Sequence, residues 1–109
     1  MKNALDYAQQ ALRFAERAMV EPEATAIRLE WQDAYEAGQR ASKRQKGNTF
    51  IRQRAATGDA RYCAECAARH ARASRNGGWW REEQAHAARL SAMNAARCAG
   101  YAAGVTAAA

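Results

Sequence analysis

Alanine occupies 30 of the 109 positions, and no other feature narrows the fold so far. Its side chain has no rotamer freedom to lose, which makes it the best helix former, whereas strands favour branched and aromatic residues. With a single proline in the chain, little interrupts a helical backbone. The expectation is an all-α protein. Residues 1–109 form one helical domain, a compact bundle of four main helices plus one short helix with alanine-rich close packing. The same residue thins the core. Leu, Ile, Val and Phe together number only ten. Buried apolar surface stabilises by roughly 25 cal/mol per Å², so each alanine contributes little. Such a chain gains from a partner, a second copy of itself or a metal.

Local chemistry sets the expected helix ends. Asn3 caps a first helix with Asp6 three residues on. That helix runs to about Met19 along a seam of Leu5, Ala8, Leu12, Ala15 and Met19, with Tyr7 and Phe14 at its flanks. Val20-Glu21-Pro22 breaks the chain, because Pro is tolerated only in a first turn. A second helix extends to about Lys46 and turns Ile27, Trp31, Ala34, Gly38 and Ala41 inward. Gly47-Asn48 ends it. A short third helix, Phe50 to Ala56, is anchored by Phe50 and Ile51. Asp59 then caps a helix from Ala60 to Arg75, which Asn76-Gly77-Gly78 stops. The last helix covers about Trp80 to Ala102, with Trp79, His86, Leu90, Met93 and Tyr101 on one face. Gly100 and Gly104 weaken it, and the tail 105–109 is expected to fray. Trp79 and Trp80 point about 100° apart on a helix. One of them is therefore expected inside and the other at least partly outside.

Charge divides the chain. The net charge is +6. Residues 1–38 hold four basic and seven acidic side chains, whereas residues 39–109 hold thirteen basic and four acidic ones. Arg40, Lys43, Arg44, Lys46, Arg52 and Arg54 form a tract without an acid, and Arg69, Arg72 and Arg75 make a second stripe. Cations so grouped suit nucleic acid, an anionic protein surface or anionic lipid. A solvated surface that keeps the protein soluble is the competing reading. The first tract has neither the aromatic platform of single-strand binders nor a helix-turn-helix core. No stretch approaches 18 apolar residues without charge, so no membrane span is expected. The odd count of three cysteines, with no leader pattern, points to a reducing cytoplasm.

Cys63, Cys66 and His70 fall on one side of a helix, with His86 beyond the Gly-Gly break. Thiolate and imidazole are zinc ligands, and a structural site takes four. Against zinc, the cysteine pair sits mid-helix, and a span of seven residues covers about 10.5 Å. Cysteine acting as a small buried hydrophobe is the plainer reading. Redox chemistry at Cys63 lacks a βαβ setting. Glu82 and Glu83 lie within one turn of His86, as an ion pair or as an acid–base couple. No nucleophile accompanies them, so an enzyme is not expected and no cofactor is required beyond the zinc alternative.

These features describe a small binding protein that docks on a protein or nucleoprotein target and modulates it. Trp79, Trp80 and Arg81 supply a hot-spot candidate, since Trp and Arg dominate such sites. Compact helical chains of this length are common among accessory inhibitors of phages and mobile elements, anti-CRISPR proteins included. Two alternatives stand beside this reading: a direct nucleic-acid binder using the basic 40–75 region, and a zinc-stabilised helical module. A homo-oligomer fits any of the three.

Overall fold

In the computed structural model, residues 2–20, 22–45 and 47–108 are described, with side chains through Val105. The Asn3 side chain accepts from the Asp6 amide at 2.9 Å and the Asp6 carboxylate accepts from the Asn3 amide at 3.0 Å. This capping box opens α1, Ala4–Ala18. Pro22 stands just before α2, Glu23–Lys43. Asn48 caps α3, Thr49–Arg75, by accepting from the Ile51 amide at 3.1 Å. After the glycine turn, α4 spans Arg81–Ala108. No strand occurs among the described residues.

The all-α class and the close alanine packing match expectation, but the short fifth helix does not exist. The segment 50–56 and the segment 60–75 belong to one helix of 27 residues. Thr57-Gly58-Asp59 passes through it without a break, and Asp59 caps nothing. Gly in a helix costs about 1 kcal/mol. Here Ala56 and Ala60, both buried, hold the backbone on either side. The Thr57 hydroxyl donates back to the Gln53 carbonyl at 2.9 Å.

The bundle measures 47 × 23 × 20 Å. Helix α4 packs on all three others, while α2 and α3 are held apart by α1 and α4. The core is a stack of alanines: Ala8, Ala11 and Ala15 of α1, Ala60, Ala67 and Ala71 of α3, and Ala88, Ala92, Ala95 and Ala96 of α4. Leu5 and Leu12 sit at its edge rather than in it. On α4 the large residues expected on one face lie at or outside the margin. His86 and Leu90 are exposed, and the buried stripe is alanine. Ile27 and Trp31 are the bulky exceptions. The Trp31 indole donates to the Ala8 carbonyl at 3.1 Å and stacks on Tyr35 at 5.6 Å, so its one polar atom is satisfied.

Gly100 and Gly104 act otherwise than expected. A methyl group at 100 would overlap the Tyr35 carbonyl, and one at 104 would overlap the Ser42 hydroxyl. At Gly38 of α2, a Cβ would lie 2.8 Å from the Tyr101 amide. Bare backbone at these positions lets α2 and α4 touch along their C-terminal halves. The helix therefore continues past both glycines to Ala108, and Val105 is buried, where fraying was expected. Position 109 lies outside the described residues.

Helix α1 has 15 residues against 27 and 28 for α3 and α4. It therefore covers only part of the bundle and runs alongside the C-terminal part of α3. Phe50 and Ile51, on the first turn of α3, reach past it. They are 69% and 63% exposed rather than anchored.

Candidate functional site

The described residues carry three surfaces that sequence reasoning singled out or nearly so, and the fold separates them. The first is the turn between α3 and α4. Gly77 and Gly78 both adopt positive φ, +85° and +86°, which L-residues avoid. The Ser74 hydroxyl donates to the Arg81 carbonyl at 3.0 Å and ties the two helix ends together. Trp79 and Trp80 project from this turn with ring centroids 4.7 Å apart. Both are outside, 84% and 55% exposed, which corrects the expectation that one would be buried. The α3 and α4 faces that meet below this turn are alanine, Ala67 and Ala71 against Ala85 and Ala88, and the turn carries its rings beyond the end of that seam. Arg75 and Arg81 flank them in sequence, and both are exposed. Met19 and Val20, in the α1–α2 turn, line a hollow of about 570 Å³ with Arg81, Glu82 and His86.

The second surface is the opposite end of the bundle. Arg40 and Lys43 lie in the last turn of α2, Arg44 follows as its C-cap, and Arg52 and Arg54 lie on the first turns of α3. None of these five has an ion-pair partner among the described residues. Lys46, the sixth cation of this tract, lies outside the described residues. From Arg54 to Arg69 the helix runs 15 residues, about 22 Å at 1.5 Å per residue. The two basic stripes are therefore distinct surfaces.

The third surface lies between α1 and α3. Arg69 and Arg72 border a groove of about 640 Å³ whose other wall is Tyr7 and Phe14. The sequence sets these rings at the flanks of the α1 seam. Their meeting with the arginine stripe depends on α1 lying parallel beside α3, which no local pattern encodes.

The cysteine and histidine residues do not gather into a metal site. No group of three or more His, Cys, Asp or Glu side chains able to hold an ion occurs among the described residues. His70 is engaged through Nδ1 with the Gln84 side-chain oxygen at 2.8 Å. His86 lies on the solvent face of α4, and neither Glu82 nor Glu83 forms an ion pair with it. Cys63 meets Cys98 across the α3–α4 seam instead. Burial, and then the neighbouring Cys98, push the Cys63 thiol up to about 11. Cys98 is raised as well, chiefly by burial. Both are thus held as thiols at neutral pH. Glu30 is held below the usual carboxylate range chiefly by its hydrogen bond from Arg89, whose Nε donates at 2.8 Å.

No helix among the described residues is long and apolar enough to cross a membrane. No family model matches the chain, and no curated protein or solved structure matches it either.

Proposed function

We propose that this chain is a non-enzymatic docking protein that seats its tryptophan tip on a protein or nucleoprotein target and modulates it. The observation that carries this reading is the pair Trp79 and Trp80, both exposed on a turn that two positive-φ glycines permit and the Ser74 hydrogen bond closes. Tryptophan buries 150–250 Å² when covered. A thin-cored protein that leaves two indoles in water gives up more apolar burial than any other pair of its side chains could supply. The Ser74 hydrogen bond across the turn and the contact between the two rings, 4.7 Å apart, reduce the freedom the pair loses on binding. Arg75 and Arg81 suit a partner pocket that is apolar within and carboxylate-bearing at its rim.

The groups with shifted acidity support a non-catalytic role. Glu30 and Arg89 account for one another, and Cys63 and Cys98 are explained by burial. Size and helical style align the chain with accessory inhibitors of mobile elements, and free thiols fit the cytoplasm.

Affinity capture from the native host, with and without nuclease, tests the reading when wild type and Trp79→Ala are run side by side. The expected result is one dominant protein or nucleoprotein whose recovery falls about thirtyfold in the variant, the equivalent of about 2 kcal/mol at a hot spot. The helical circular dichroism should be unchanged. Equal recovery by both chains would reject the tip as the docking site.

A further inference from the structure

We infer that the groove between α1 and α3 is a binding site for single-stranded nucleic acid, a site separate from the tryptophan tip. The floor is made by Ala64 and Ala68, both buried. Tyr7 and Phe14 form one wall, and Arg69 and Arg72 stand on the other. Small residues in the floor bring the two helices close and leave a shallow channel rather than a filled seam.

The rings are half-buried and packed against the core, so each shows part of itself to the groove from a fixed position. They are seven residues apart on one helix, which spaces them about 10.5 Å along its axis. Phe14 is the open platform. Lys2 Nζ stands over the Tyr7 ring at 5.8 Å from its centroid, so a base reaches Tyr7 by displacing that ammonium toward the strand's phosphate. Stacking on an aromatic side chain tolerates any base. Across the channel, neither Arg69 nor Arg72 has an ion-pair partner among the described residues. A guanidinium holds a phosphate through two parallel hydrogen bonds. Bases on one wall and phosphates on the other is the layout of a strand with its bases unpaired. A duplex keeps its base faces stacked and has nothing to offer the rings.

The charge agrees. Lys2, Arg61, Arg69 and Arg72 line the groove against one carboxylate, Glu65, and Arg61 already pairs with that carboxylate at 3.3 Å. An acidic peptide would meet the same charge but brings no planar face of its own to lay on the ring wall of Tyr7 and Phe14.

Fluorescence anisotropy tests the assignment on the full chain, at about 150 mM salt, where charges beyond about 8 Å are screened. The probes are a labelled thymidine 12-mer, a hairpin duplex of mixed sequence and thymidine monophosphate. The expected order is tight binding of the 12-mer, weak binding of the duplex, and weak competition by the mononucleotide because it fills one platform only. Arg69→Gln with Arg72→Gln should weaken the 12-mer at least tenfold and flatten its salt dependence by about 1.4 in slope, since each phosphate contributes about 0.7. Phe14→Leu keeps an apolar side chain in the wall and should cost about five- to tenfold, the loss of a stacking contact. Both arginines are on the surface, so their variant stays informative even if Phe14→Leu unfolds. Trp79→Ala should leave strand affinity within twofold, which separates this site from the docking tip. Three results would each overturn the inference: duplex bound as tightly as the 12-mer; indifference to the double arginine change; or displacement of the 12-mer by polyglutamate at matched charge, which would make the groove an acidic-peptide site.

Discussion

Cys63 shows how a residue's role follows from what it touches rather than from its motif. The spacing from Cys63 to Cys66 and His70 suggested ligands. In the fold Cys63 faces Cys98 and His70 faces Gln84, so the set disperses. The consequence is a pH dependence on the alkaline side. A thiol titrates near 9.0 when unfolded, and Cys63 titrates at about 11 in the fold. The native state therefore holds its proton longer. The stabilisation is complete below the unfolded value and is lost as pH rises through the folded one. Thermal unfolding of the wild type should show Tm declining between about pH 9 and pH 11. Cys63→Ala should decline less over that window, the remainder coming from Cys98, which is shifted the same way. Parallel curves for the two proteins would show that Cys63 is not the group being desolvated.

At the scale of the element, what was legible in the sequence was what local chemistry decides. The Asn3–Asp6 capping box, the break at Pro22 and the stop at Asn76-Gly77-Gly78 each depend on a few neighbouring atoms. Thr57-Gly58-Asp59 misled for the same reason, because its residues favour a turn and only packing on either side overrides them. The groove wall of Tyr7 and Phe14 was illegible because it needs the pairing of α1 with α3. The fate of Gly100 and Gly104 likewise needed α2, which turns two helix-weakening residues into contact points. Gly58 offers a direct measure of the override. A Cβ there would meet nothing within 4 Å, and the site is mid-helix. Gly58→Ala should therefore add about 0.5–1 kcal/mol. In denaturant titration the midpoint should rise with the slope unchanged. A loss of stability instead would mean that α3 uses Gly58 as a flexible joint.

The whole molecule is an elongated body with chemically different ends. One end carries the tryptophans amid mixed charge. The other carries Arg40, Lys43, Arg44, Arg52 and Arg54 without a paired carboxylate among the described residues. Such an end either contacts its partner or steers it, and rates tell the two apart. The groove arginines are about 22 Å from Arg54 along α3. A field from the basic end reaches that far at about 10 mM salt, where the screening length is about 30 Å, and not at about 150 mM, where it is about 8 Å. A steering end raises the association rate and leaves dissociation alone. Stopped-flow binding of the thymidine 12-mer to Arg40→Gln/Lys43→Gln/Arg44→Gln should thus show an association rate lowered about tenfold at low salt. The difference from wild type should vanish at physiological salt, with dissociation equal throughout. Faster dissociation in the variant at both salts would mean that the strand lies across the basic end itself. The groove and the α2–α3 junction would then be parts of one continuous track.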